Sequence, residues 1–205
     1  MPGQSLTTEA FVIERRPPSD AFQPLLLFCA EQGNLLAMLR VPGRPSAAHV
    51  APDLFDEVSA ILETSNQGRT WFVREIRIAR RRPGIGRSYE ALSAASALAA
   101  VIARNPFHEE GRAGVARALR SALDALAAGS RPDVVHLKSL FLFARDEGYP
   151  VRQEWLPSLG AADHDTAEDI LARPVAGQGA DPALVGRLLR SLESYLRGHT
   201  DIVLP

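Results

Sequence analysis

Histidine, carboxylate, serine and cysteine side chains are where covalent or metal chemistry would have to reside, and in this chain they do not assemble into a pattern. The five histidines, His49, His108, His136, His164 and His199, form no recognisable pair. Asp163-His164-Asp165 with Glu168 could in principle chelate a hard metal, but no second histidine stands at ligand spacing, and a polar loop with a helix cap accounts for the same residues. Ser19, Ser46 and Ser158 carry no nucleophile-bearing turn motif. The single cysteine, Cys29, excludes an intramolecular disulfide and an all-cysteine zinc site. Pro83-Gly84-Ile85-Gly86-Arg87-Ser88 resembles the front of a dinucleotide fingerprint, yet Tyr89 stands where the third glycine is needed, and the strand before it is charged rather than apolar. No catalytic residue, metal or cofactor is expected, and the chain is read as non-enzymatic.

The remaining chemistry is that of arginine. The stretch Arg69 to Arg87, RTWFVREIRIARRRPGIGR, reads as a long strand that turns cationic as it ends. Trp71 and Val73 share one parity while Ile76 and Ile78 share the other, so a straight strand would send half of them into water. One extra residue near Arg74 or Glu75, a β-bulge, puts all four on one face and leaves Phe72, Arg77 and Ala79 on the other. A bent, bulged strand suits a small closed barrel.

The elements around it agree. Phe11-Val12-Ile13 opens a strand stopped by Pro17-Pro18, and Ser19-Asp20 makes a turn. Leu25 to Cys29 follows, with Gly33-Asn34 as a hairpin turn, Leu35 to Val41 as the third strand and Pro42-Gly43-Arg44-Pro45 as a loop. Leu54 to Thr64 is the fourth strand, with a slip of parity, and Asn66-Gln67-Gly68 leads into the fifth. Five strands with one longer link between the third and fourth predict an N-terminal OB-type β-barrel over residues 1–82. Such barrels bind oligonucleotides by pairing a cationic track with exposed aromatics. Arg15, Arg16, Arg40, Arg44, Arg74, Arg77, Arg80 and Arg81 are the candidates for the track, although solvated strand ends would look the same, and Phe22 or Phe72 could equally be core.

Residues 83–205 predict an all-helical domain, giving an α+β chain. Ser88 caps the first helix, whose stripe is Leu92, Ala95, Ala99 and Ile102; Asn105-Pro106 breaks it, and Val115, Leu119, Leu123 and Leu126 mark the second. Val134, Val135, Leu137, Leu140, Phe141, Leu142 and Phe143 surround most of the third, which is therefore central and ends at Gly148. Residues 149–180 lose periodicity, an irregular connector relieved by one short helix that Thr166 and Asp169 could cap. Asp181-Pro182 starts a last helix striped by Leu184, Leu188, Leu192 and Tyr195 or Leu196 and stopped by Gly198, with Ile202-Val203-Leu204 as a packed tail.

At 205 residues and 46% hydrophobic content a buried core is easily formed, and no apolar run spans a bilayer, so a cytoplasmic protein with no membrane partner is expected. The net charge of −1 hides a lean: residues 1–87 hold 11 arginines against 9 acids, and residues 88–205 hold 12 basic side chains against 15 acids. Ordinary surface charge would account for that asymmetry as well.

In order, these features resemble the RecO family of bacterial recombination mediators. Phe11-Val12-Ile13 with Arg16-Pro17 and Ser19-Asp20 is similar to the family's opening strand. Leu27-Phe28, Glu31-Gln32-Gly33 and Leu39-Arg40-Val41-Pro42-Gly43-Arg44 look like its next two. Pro83-Gly84-Ile85 and Tyr89-Glu90-Ala91-Leu92 match its step from barrel to helices, while Leu140 to Leu142, then Glu147-Gly148-Tyr149-Pro150, and Tyr195-Leu196-Arg197-Gly198 match later landmarks. The resemblance implies an OB barrel followed by helices. It also implies binding of single-stranded and possibly double-stranded DNA, strand annealing in DNA repair and recombination after DNA damage, and a nucleoid-associated location. The implied partners are a RecR-like protein and the C-terminal tail of the single-stranded-DNA-binding protein, in loading the RecA recombinase. Arg15, Arg16, Arg40 and Arg44 fall at the family's DNA-facing barrel positions, and Lys138, with Arg145, falls near its docking site for the acidic tail; Lys138 as merely the exposed side of a buried helix is the plain alternative. Two departures stand out: Trp155 to Gly179 lacks the four cysteines of the family's zinc module, and the usually basic loop after the third strand keeps only Arg40 and Arg44. The rival readings are a protein-interaction module of the same fold with weak or no DNA binding, and an enzyme with an unrecognised site in the 149–180 connector.

Overall fold

The computed structural model describes residues 4–19, 21–41, 51–64 and 70–205. The chain is α+β and divides into two compact units, Met1–Arg82 with Pro106–Ala116, and Pro83–Asn105 with Arg117–Pro205.

The first unit holds β1 (Ser5–Arg15), β2 (Phe22–Cys29), β3 (Gly33–Arg40), β4 (Glu57–Thr64) and β5 (Trp71–Arg80). They form one sheet in the order β1-β2-β3-β5-β4, and the sheet closes on itself because β1 pairs with both β2 and β4. The first strand is long enough to do this: Ser5 to Phe11 faces β4 and Ala10 to Arg15 faces β2, with a register shift between Val12 and Glu14 that bends it from one partner to the other. All neighbours are antiparallel except β3 and β5, where Ala37 meets Trp71 and Met38 meets Phe72 in parallel.

The bulge expected in the fifth strand is present. Glu75 faces Ile61 and Val73 faces Leu62, which leaves Arg74 as the extra residue, and Trp71, Val73, Ile76 and Ile78 all pack against the interior. A second shift leaves Ala79 unpaired and sets Arg80 opposite Glu57. The interior itself is Ala10, Val12, Leu25, Leu27, Cys29, Leu35, Ala37, Leu39, Val58, Ala60 and Leu62.

Several strand limits differ from expectation, each for a physical reason. β1 begins at Ser5, ahead of Phe11, because its first half carries polar side chains outward and gives little apolar signal. The first hairpin turns at residues 30–32, with Gly33 at φ 73° already opening β3 opposite Cys29, so Gly33-Asn34 is not the turn. β4 starts at Glu57, since Leu54 and Phe55 form a turn in which Phe55 adopts φ 67°. From Glu57 onward its alternation is clean, with Val58, Ala60 and Leu62 inside and no slip of parity. The expected loop at Pro42–Pro45 and the turn at Asn66-Gln67-Gly68 lie outside the described residues.

The second unit is built on α1 (Tyr89–Arg104), α3 (Pro132–Asp146), α4 (Ala161–Ala172) and α5 (Pro182–His199), with the later part of α2 (Glu109–Ala127). Ser88 caps α1 by accepting from the Ala91 N–H, and Asp181 caps α5 by accepting from the Ala183 N–H. α3 is central, burying Val134, Val135, Leu137, Leu140, Phe141 and Ala144. The Pro-Gly-Ile-Gly segment finds a packing role: Gly84 lies so close to Ala127 that a Cβ there would stand 2.0 Å from its carbonyl oxygen, while Ile85 is buried.

The stretch 149–180 is more ordered than expected. Val151 and Trp155 are fully buried, the Trp155 indole N–H donates to Ser191 Oγ at 3.1 Å, and α4 occupies twelve residues. That helix starts after Gly160, and Thr166 lies within it, returning its hydroxyl to the Ala162 carbonyl, so neither Thr166 nor Asp169 is the cap. α5 continues through Gly198 to His199 and ends on Thr200. The tail is fixed by Asn105, which donates to the Val203 carbonyl and accepts from the Val203 N–H. No helix among the described residues is long and apolar enough to cross a membrane.

Candidate functional site

The outside of the closed sheet carries the residues whose parity is opposite to the core. On β2 these are Phe22, Pro24, Leu26 and Phe28; on β3, Leu36, Met38 and Arg40; on β5, Phe72. Ladder positions join them into one surface, with Phe22 opposite Arg40, Pro24 opposite Met38, Leu26 opposite Leu36, and Met38 beside Phe72. The Phe22 and Phe72 rings meet edge to face at 5.6 Å, and neither belongs to the interior. Leu36 is 40% exposed. At the far end Phe28 is buried beneath Phe107, 5.5 Å away, from the Pro106–Ala116 segment of the same unit, where the Arg112 guanidinium donates to the Glu31 carbonyl at 3.0 Å. An aromatic and aliphatic platform thus runs from Phe22 to Leu36 with Arg40 at its open end. Its signal was available in the run Leu25-Leu26-Leu27-Phe28, which is apolar at both parities and so implies a strand with two apolar faces.

The arginines expected to form a cationic track are distributed around this sheet, most of them matched by a carboxylate. Arg15 Nη1 donates to Asp53 Oδ1 at 2.6 Å and Arg16 Nε to Glu14 at 2.8 Å, and Arg77 forms an ion pair with Glu75 at 2.6 Å. Arg74 pairs with Glu63, its neighbour across the bulge. Arg81 lies 3.6 Å from Asp56 and donates to the Ala51 carbonyl. Arg80 stands opposite Glu57 in the ladder. Arg40 is exposed with no carboxylate partner among the described residues, and Arg44 lies outside them. Arg15, Arg16, Arg74, Arg77 and Arg81 thus lie beside carboxylates, and among the described residues these guanidinium groups do not join into a continuous cationic track.

Arg82, which was not among the arginines expected in the track, proves structural. Its side chain is 2% exposed; Nη2 donates to Glu57 at 3.1 Å, Nη1 to the Phe55 carbonyl at 3.1 Å, and the guanidinium lies 5.8 Å from the Phe11 ring centroid. It holds the turn before β4, which carries two perturbed carboxyls. Desolvation raises Asp53, but the Leu54 N–H and Arg15 outweigh it and leave the group below its usual range. Burial pushes Asp56 up, against the Asp53 N–H and Arg81.

In the helical unit Lys138 is fully engaged. Its ammonium donates to the carbonyls of Ile170, Leu171 and Arg173, at the end of α4, at 2.9 and 3.2 Å for the first two. These are acceptors of the kind that a helix end leaves unpaired, and Gln178 shares those of Ile170 and Arg173. Burial lowers the ammonium pKa. Arg145 is half exposed and pairs with Asp146 at 2.7 Å. The acid cluster at α4 is occupied as well, since Asp163 takes a two-pronged contact from Arg187 at 2.8 and 3.0 Å. Among the described residues no three His, Cys, Asp or Glu side chains converge as a metal site. No family model matches the chain, and no curated protein does.

Proposed function

We propose that this protein is a RecO-like, non-enzymatic mediator of DNA repair whose closed sheet is an OB-type barrel and contacts single-stranded DNA on the β2-β3-β5 face. The ring order with its one parallel contact, β3 to β5, supports the OB-type reading. The observation that carries the proposal is the outward Phe22–Phe72 pair on an apolar platform with Arg40 at its open end. Such a surface stacks bases irrespective of sequence, with each stacked base contributing about 1–3 kcal/mol. Because Arg15, Arg16, Arg74, Arg77 and Arg81 already face carboxylates, few phosphates are neutralised and binding is weak, with a shallow dependence on salt. Strand annealing, double-stranded DNA, a RecR-like partner, the acidic tail of a single-stranded-DNA-binding protein and a cytoplasmic, nucleoid-associated location come from the resemblance alone. The saturation of Lys138 by α4 argues against that lysine as the tail contact.

Fluorescence anisotropy of a labelled oligothymidylate at about 50 and about 200 mM salt tests this. Measurable binding at the lower salt, reduced about tenfold or more by Phe22→Leu or Phe72→Leu, is expected; no binding at the lower salt, or binding indifferent to both rings, would overturn it. The ion pairs themselves favour a second reading, a protein-interaction module of the same fold, in which the platform receives an apolar protein segment and oligonucleotides do not bind.

A further inference from the structure

Residues 53–57, Asp-Leu-Phe-Asp-Glu, bring three carboxylates to three arginines of the first unit. Asp53 meets Arg15 of β1, Asp56 meets Arg81 just past β5, and Glu57 meets Arg82. The segment is a built turn rather than a loose strand end. The Asp53 N–H donates to Asp56 Oδ2 at 2.8 Å, and the Asp56 N–H returns to the Asp53 carbonyl at 3.2 Å. The Phe55 N–H donates to the Val12 carbonyl at 2.8 Å while the Val12 N–H donates to the Asp56 carbonyl at 2.9 Å, tying the turn to β1. Phe55, 4% exposed, is held at φ 67°, a conformation a bulky L side chain keeps only when its surroundings impose it. Buried Arg82 braces the turn together with these backbone bonds, gripping the Phe55 carbonyl and Glu57 at once.

The consequence is a difference between the pairs. Arg82–Glu57 is interior and fixed. Arg15–Asp53 is at the surface, with the aspartate side chain 69% exposed and the arginine 30%, and Arg15 stretches across to Gln23 as well. The Asp53 carboxylate also accepts from the Leu54 N–H at 2.8 Å, and neither contact involves the interior of the sheet.

We propose that this acidic turn is an autoinhibitory clasp: anchored by Arg82 and braced by the buried Asp56, it presents the exposed Asp53 carboxylate to Arg15 in the place of a nucleic-acid phosphate. The inference rests on the nucleic-acid reading and concerns the regulation of that same unit's surface. Binding DNA exchanges one carboxylate contact for a phosphate contact, so Arg15 adds little net affinity until Asp53 leaves.

The test compares the wild-type chain with Asp53→Asn, the double variant Arg15→Gln/Asp53→Asn, and Glu9→Gln, which removes an exposed acid of β1 that stands opposite Ser59 rather than an arginine. One additional neutralised phosphate scales affinity as salt to about the −0.7 power, so Asp53→Asn is expected to bind an oligothymidylate about eightfold more tightly at about 50 mM salt and about threefold at about 200 mM. The double variant returns to wild-type affinity and Glu9→Gln changes little. A gain for Asp53→Asn no larger than that for Glu9→Gln, or one that survives loss of Arg15, overturns the clasp. Tripolyphosphate, an anion with no base to stack, separates the two ideas. Stronger tripolyphosphate binding by Asp53→Asn with no oligonucleotide binding by any variant keeps the clasp and rejects the nucleic-acid reading. No gain for either ligand rejects the clasp, and rejects the nucleic-acid reading too if the wild-type chain leaves the oligonucleotide unbound.

Discussion

Replacing Glu57 by glutamine removes the carboxylate from a site where the Arg82 guanidinium has almost no access to water, its side chain being 2% exposed and that of Glu57 10%. Breaking a buried pair from one side costs about 3–5 kcal/mol, because the surviving charge stays desolvated without its counter-charge. The substituted amide retains one acceptor oxygen and the Phe55 carbonyl stays in place, so the lower end applies, about 3 kcal/mol, roughly a 150-fold rise in the opening equilibrium of the sheet. Removing both charges in Arg82→Met/Glu57→Leu should cost less than the single change, about 1–2 kcal/mol, since what remains is chiefly an unsatisfied carbonyl at Phe55. Amide hydrogen exchange followed by mass spectrometry reads this directly: peptides covering β4 and β5 should lose protection by the stated amount in Glu57→Gln and recover part of it in the double variant. A loss under about 1 kcal/mol in Glu57→Gln, or a double variant worse than the single, would refute the assignment of Arg82 as a buried anchor.

Two further outcomes follow from the helical unit. Lys138→Met should fray the end of α4 by about 1–2 kcal/mol, visible as faster exchange at Ile170 to Arg173; unchanged exchange there would mean that the three carbonyls do not depend on it. Burial holds the His136 imidazole below its usual range, with Glu193 pulling weakly the other way. Its folded pKa lies under that of the unfolded chain, so below about pH 6.5 the unfolded chain takes up a proton that the folded chain refuses, and stability falls as pH drops through that window. Thermal unfolding between about pH 5.5 and about pH 7.5 should show a slope that His136→Gln reduces, and equal slopes would sink the assignment.

How much of the site could be read from the chain depends on the kind of signal each residue carries. The bulge at Arg74 was legible because four apolar residues in two parities demand a single face, a constraint internal to one strand. The caps at Ser88 and Asp181 were legible because capping is local. The start of β1 and the turn at Phe55 were not, since polar outward positions and a positive φ held by distant partners, Val12 and Arg82, leave no local mark. Lys138 looked like a free cation on a buried helix, and only the packing of α4 against it supplied the three carbonyls.

Composition and periodicity alone determined that this chain has an α+β order and a kinked cationic fifth strand, because each depends on residues close together along the chain. Tertiary structure alone decided what the arginines do. An arginine in a sequence is only a charge, and whether it is free for a phosphate or already matched depends on which carboxylate the closing of the sheet brings beside it, as Asp53 is brought to Arg15 and Glu63 to Arg74.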